Sequence, residues 1–368
     1  MRKLIILIFF LGTSRILVAQ STGILVDSLY SSILKEKRSL MVYLPKEFTS
    51  KKNSQIKYPV LYVLDGESNY LAITGMVQYL TEVNGNRIFP KMIIVFVSNT
   101  NRTRDLTPYK TRASAILPQQ MADETGGGET FSRVLENEII PYIDSKYPTC
   151  PYRALVGHSF GGIYALSVLA NHPKLFDDYI VLDPSLWYDG GRFSRQILNN
   201  LSKARLDDKS LFIGFANTTN EYNLNEVLTN KASFAVHEKN IIRFCRELKQ
   251  NKTKSIRFNY QYYPLDDHSS VPFIGIYDGL RKLFEDYQLS YYEVINPNFN
   301  PEKRIVTYYQ NLSKKLKTNW SVSPQDLEYF DMFYNINEDP KGRERLRAFY
   351  KKTFPEDYLI FLKANSGQ

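Results

Sequence analysis

Apolar residues along this chain follow two rhythms. Short apolar-rich runs at 60–64, 92–97, 154–156, 179–182, 211–215 and 256–262 have the texture of strands buried on both faces of a parallel sheet. Between them lie longer stretches with apolar residues three and four apart. The stretch 131–147 carries Val134, Leu135, Ile139 and Ile143 on one side, and 232–248 reads as a second such helix. Ahead of all of these, 24–30 and 38–44 read as the strands of an antiparallel entry hairpin. Two antiparallel strands followed by six buried strands with helical crossovers predict an α/β fold: an eight-stranded, mostly parallel sheet flanked by helices. A helix over 275–287 closes the unit.

From Asn296-Pro297-Asn298-Phe299-Asn300-Pro301 onward the pattern becomes helical and rich in charge, with a helix started by Pro324 and a break at Pro340 and Gly342. No internal period accompanies it. The expected division is therefore an α/β domain over 20–290 and a small helical C-terminal extension over 291–368. Residues 1–19 read as a signal peptide: Arg2 and Lys3, an apolar run over 4–11, then Leu17-Val18-Ala19 before Gln20. Arg15 inside that segment leaves an uncleaved amphipathic anchor as the alternative. No later stretch reaches the roughly 20 apolar residues that cross a bilayer, so a periplasmic or secreted protein without stable membrane insertion is expected.

Composition changes this picture little. The 368 residues are 43% hydrophobic and 23% charged, which excludes disorder, and the 27 Tyr and 22 Phe are an aromatic surplus. Two cysteines, Cys150 and Cys245, cannot make a disulfide framework and stand either as one pair or as two buried thiols. The formal charge of +9 invites a nucleic-acid reading, yet Arg2, Lys3 and Arg15 supply three of those charges, leaving 44 basic residues against 38 acidic ones. The remainder are interspersed with acids, the pattern of a solvated surface, so no nucleic-acid partner is expected.

The chemistry concentrates at Gly157-His158-Ser159-Phe160-Gly161-Gly162. This is a G-x-S-x-G sequence between the strand 154–156 and an apolar helix beginning near Ile163, the context in which a serine nucleophile is held on a strained strand-to-helix turn. Of the four histidines, His158 lies inside that turn, His172 at the end of the next helix, and His237 in a helix where it reads as a surface residue. His268, between the last strand and the last helix, is left as the general base. For the acid, Glu221 in the loop after 211–215 is preferred. Asp183 at the end of 179–182 is its rival, and a serine–histidine pair without a carboxylate stays open. The N–H groups of Phe160 and Glu67 are the expected oxyanion donors. Arg104 is placed to hold an anionic substrate group or to stiffen its own loop, and Trp187 to wall a substrate pocket or pack beneath the rim. No metal-ligand spacing and no dinucleotide fingerprint occur, so neither metal nor cofactor is expected.

Five segments together resemble one family: 58–66 (Tyr58-Pro59-Val60-Leu61-Tyr62-Val63-Leu64-Asp65-Gly66), 99–108, the 157–162 turn, Pro184-Ser185-Leu186-Trp187, and Asp267-His268-Ser269-Ser270-Val271-Pro272. Over about residues 37–287 the chain resembles the putative-esterase family of α/β-hydrolases, which includes enterochelin (siderophore) esterases, esterase D-like enzymes, feruloyl esterases and mycolyltransferases. The resemblance implies an α/β-hydrolase fold, Ser159 as nucleophile, His268 as base and a small-molecule ester as substrate, with a siderophore ester foremost. Feruloyl or acetyl esters of polysaccharide, acyl transfer, and a catalytically dead scaffold used for binding are the alternatives. The chain departs from the family pattern at Asp183, where Ser is expected, and at Ser269, often Gly.

Overall fold

The computed structural model describes residues 23–45, 57–83, 86–221, 223–250, 256–287, 289, 291–296, 298–320 and 324–365. The expected signal segment 1–19 lies outside them. Eight strands, β1 (Ile24–Ser31), β2 (Glu36–Tyr43), β3 (Tyr58–Leu64), β4 (Ile93–Val97), β5 (Thr149–His158), β6 (Asp178–Leu182), β7 (Lys209–Ala216) and β8 (Ile256–Tyr263), form one sheet in the order β1-β2-β4-β3-β5-β6-β7-β8. The β1/β2 and β2/β4 pairs are antiparallel and all others parallel, with Gly157 opposite Val181 and Leu182 opposite Gly214 where the chemistry will lie. β3, β4 and β6 are buried at every position. Helices cover both faces of these inner strands, which is why their sequences are continuously apolar. β8 differs from the expected continuous run: its burial alternates, because it is the outermost strand.

The helices that matter here are α1 (Gly66–Thr81), α2 (Phe160–Asn171), α3 (Arg192–Lys203), α4 (Val236–Gln250), α5 (Val271–Leu283), α6 (Pro301–Leu316), α7 (Pro324–Ile336), α8 (Pro340–Thr353) and α9 (Pro355–Asn365). α5 begins four residues before the expected 275 because Pro272 suits a first turn, where no N–H is needed. The expected helix 131–147 is interrupted by a π-turn at Leu135–Ile139, just before Pro141, which has no N–H for the carbonyl four residues back.

One apolar layer packs α2, α3 and α4 on the sheet through Ile163, Leu166, Ile197 and Ile241. The other packs α1 and α5 through Val77, Ile276 and Leu280, and it runs without a break into Leu312, Leu316, Phe330 and Leu346 of α6–α8. At the amino ends of the strands, Lys315 pairs with Asp178 at 3.3 Å and Lys317 with Asp177 at 2.5 Å. These residues border a cavity of about 790 Å³ that also meets Tyr152, Arg257 and Phe284. Burial lowers the Lys315 amine below its usual range, with Asp178 opposing. Both cysteines are buried free thiols. Among the described residues no helix is long and apolar enough to cross a membrane.

Candidate active site

The reactive groups gather at the carboxyl edge, opposite that cavity. β5 ends at His158, and Ser159 takes φ 59 and ψ −113, a left-handed backbone that side-chain-bearing residues rarely adopt. Local packing holds it there. The Ser159 N–H donates to the Leu182 carbonyl at 3.0 Å, and the Ser159 carbonyl accepts from the N–H groups of Gly162, Ile163 and Ser185. A Cβ at Gly157 would stand 2.1 Å from the Gly161 oxygen, so the turn closes only with glycine there. The Ser159 hydroxyl pairs with Ser185 Oγ at 3.1 Å rather than with the His268 ring.

His268 sits in the loop between β8 and α5. Asp267 Oδ1 accepts the N–H groups of Ser269 and Ser270, both at 2.8 Å, and these bonds, Ser270 first, hold the Asp267 carboxyl below its usual range. The His268 Nδ1–H donates to Asp183 Oδ2 at 2.5 Å. Asp183 is the first residue after β6, has φ 41, and is fully buried. Its N–H donates to the Gly214 carbonyl at 2.7 Å, and its Oδ1 accepts the Ala216 N–H at 3.0 Å. Its Oδ2 accepts a second imidazole as well, His237 Nε2 at 2.8 Å. Burial alone would raise the Asp183 carboxyl, but the His237 and His268 donors together outweigh it and hold the group well below the ordinary carboxylate range.

Glu221, the preferred acid, is not brought to His268. Its carboxylate accepts from Asn230 Nδ2 at 3.4 Å and its carbonyl from the Tyr262 hydroxyl, while Asp183 occupies His268. The β7 loop is drawn toward α4 instead: Glu238 Oε2 accepts from Thr218 N, Thr218 Oγ1 and Thr219 Oγ1. His237 is corrected, since its side chain is only 14% exposed and faces Asp183. A helix entered from the carboxyl end of β7 starts at the same edge as the site, so its first turn was the signal that could have placed this residue.

Arg104, read as a possible anion holder, gives its donors to Glu36 (2.6 and 3.2 Å) and to Asp105 (2.7 Å). Asp105 and Glu36 also hold the buried Arg38, so Arg104 belongs to a four-residue ionic knot. The arginine nearer Ser159 is Arg102, which forks onto Asp65 at 2.6 and 3.0 Å and lies 5.6 Å from the Phe160 ring centre. Trp187 stands beside Phe160, ring centres 6.0 Å apart. Phe160 and Glu67 occupy the first turns of α2 and α1, where N–H groups have no partner within their own helix. Among the described residues neither N–H donates a hydrogen bond.

His158 packs on His268 with ring centres 4.5 Å apart. Burial first, and His268 second, push its imidazole down to about 4, so it is neutral at neutral pH. Sequence spacing gave no hint of a metal set, yet Asp183, His237 and His268 bring three candidate ligand atoms within 4.8 Å of one another. The contacts of 2.5 and 2.8 Å are hydrogen-bond lengths. Two ligands of one tetrahedral zinc ion, bound at about 2.1 Å, would stand roughly 3.4 Å apart, so as placed these atoms share protons rather than a cation.

The sequence model of the family described as "Putative esterase" matches residues 31–275. The chain is 28% identical over 161 residues to the siderophore triacetylfusarinine C esterase of Aspergillus fumigatus, covering 41% of this chain and 52% of that protein. It is 31% identical over 148 residues to the ferri-bacillibactin esterase BesA of Bacillus subtilis, covering 36% and 49%. The chain thus spans about half the length of these curated relatives. The crystal structure of an IroE-like serine hydrolase from Shewanella oneidensis aligns with a TM-score of 0.76 at 30% identity, over 89% of this chain and 99% of that one.

Proposed function

From the premise that this chain belongs to the putative-esterase family, related to siderophore esterases, we propose that it is a serine esterase using Ser159, His268 and Asp183. The observation that carries the reading is the bond from His268 Nδ1 to the buried Asp183 carboxylate, at the same edge as a serine in a strained strand-to-helix turn. With its proton on Nδ1, His268 keeps the Nε2 lone pair as the base. The Ser159 hydroxyl exchanges its Ser185 partner for that nitrogen and attacks the ester carbonyl. Its proton passes through His268 to the departing alkoxide, leaving an acyl-enzyme. Water then loses a proton to the same nitrogen, attacks, and releases the carboxylic acid as Ser159 regains its proton. The N–H groups of Phe160 and Glu67, at two helix N-termini, hold the oxyanion.

A siderophore ester is the substrate class that the relatives' names support. The aromatic wall of Phe160 and Trp187 is compatible with a bulky acyl group. The signal-like segment 1–19 supports export. A fluorophosphonate probe should label the wild type and spare Ser159→Ala, and a panel of siderophore, feruloyl, acetyl and p-nitrophenyl esters then ranks the substrates. Absence of labelling together with absence of hydrolysis across the panel would overturn the esterase reading in favour of a binding protein on this scaffold.

A further inference from the structure

Two of the four histidines bond one carboxylate, a third packs on one of those two rings, and the proposed reaction uses one of the three. His237, on the first turn of α4, donates its Nε2–H to Asp183 Oδ2, the same oxygen that receives His268. The two rings meet edge to face with centres 5.5 Å apart. The His237 Nδ1 is buried without a hydrogen-bond partner among the described residues. A proton there would be an orphan donor, so the ring's single N–H is committed to Asp183. Leaving a polar nitrogen bare is a cost that packing alone would not select, since an apolar ring of the same size would avoid it.

We infer that His237 is a positioning residue: its N–H fixes the Asp183 carboxylate in the orientation that receives the His268 ring, and so holds that ring in place for the reaction. This rests on the esterase reading only for its effect on turnover. Asp183 Oδ2 offers two lone pairs, and with both filled by N–H donors its negative charge is divided between two rings. Without the His237 donor, Oδ2 is held by His268 alone and the carboxylate loses one of the bonds that orient it. The groups facing His268 are Asp183 from β6, His237 from α4, His158 from β5, and Asp266 and Asp267 from its own loop. Glu238 stands beside His237 and bonds the β7 loop, while Arg102 and Asp65 stand beyond His158. His158 is neutral through the physiological range.

Nitrogen-15 NMR of the His268 ring in the full chain tests this without any substrate. In His237→Phe the downfield His268 Nδ1–H resonance should move and broaden as the carboxylate loosens, and His237→Gln, whose side-chain amide can donate from the same place, should restore it. On an ester that the wild type cleaves, His237→Phe should impair turnover rather than binding. Its kcat should fall about tenfold with KM within about twofold, and the Gln variant should recover both. Should the Phe variant fail to fold, the wild type still decides: two downfield imidazole N–H protons, one from each ring, support the shared carboxylate, and one alone overturns it. An unmoved His268 Nδ1–H resonance in folded His237→Phe, or a Gln variant that behaves like Phe, also overturns it. An inactive wild type with the NMR shifts intact would refute the esterase reading and leave the shared carboxylate standing.

Discussion

At the scale of the residue, the site turns on which carboxylate meets His268. Asp183→Asn should keep the contact but offer an amide where an acceptor is needed, and kcat/KM should fall about a thousandfold. Glu221→Gln should leave it within about twofold, and a large loss there would restore the β7 loop as the source of the acid. His158 makes a separate prediction about stability. Its folded value near 4 lies below the unfolded value near 6.5, so between those limits the unfolded chain binds more protons and stability falls as pH drops. The full effect is on the order of 3 kcal/mol. Urea unfolding at pH 7 and pH 5 should show a smaller acid loss for His158→Gln than for the wild type, and equal losses would refute it. Ser159 was legible because its turn is local: Gly157 and Gly161 announce it. His268 emerged by elimination among four residues. Asp183 against Glu221 was not decidable from sequence, since both end up near the same edge and only the loop ties at Thr218 and Thr219 draw one away. His237 was misread because helical spacing reveals a face but not what that face meets.

At the scale of the element, the carboxylate that meets His268 comes from the strand beside the one that leads into Ser159. β6 lies next to β5, and its final turn carries Asp183 and Ser185, the first bonded to His268 and the second to both the carbonyl and the hydroxyl of Ser159. The alternating runs of strand and helix were readable because inner parallel strands are buried on both faces. The π-turn at Leu135–Ile139 was not, since it depends on how one proline is accommodated. The short helix Arg102–Asp105 is fastened to β2 by the Arg38, Arg104, Glu36 and Asp105 knot. Arg104→Met should therefore cost about 1 kcal/mol in denaturant unfolding, a modest figure because the side chain is partly exposed, and leave KM for an anionic ester unchanged. A raised KM at constant stability would return Arg104 to the substrate.

At the scale of the whole molecule, the C-terminal helices share the apolar layer of α1 and α5 rather than standing apart from it. A chain ending at residue 290 should bare that layer around Phe284 and Leu283, bind a hydrophobic dye and aggregate, whereas a soluble, cooperatively unfolding fragment would show that α6–α9 are dispensable. The aromatic surplus finds its place largely here and in the sheet, with Tyr308, Tyr309, Phe330 and Tyr350 buried among these helices. The alternating burial of β8 bears on the order in which the protein assembles. Ser159 and Asp183 hang on two central strands, but His268 hangs on a strand paired along one side only, with one flank facing water. In refolding, the core should regain its fluorescence before the Ser159, Asp183 and His268 set is complete, so that the proposed esterase activity trails the compact state by a measurable lag, and the last event in folding is the arrival of the proposed proton acceptor.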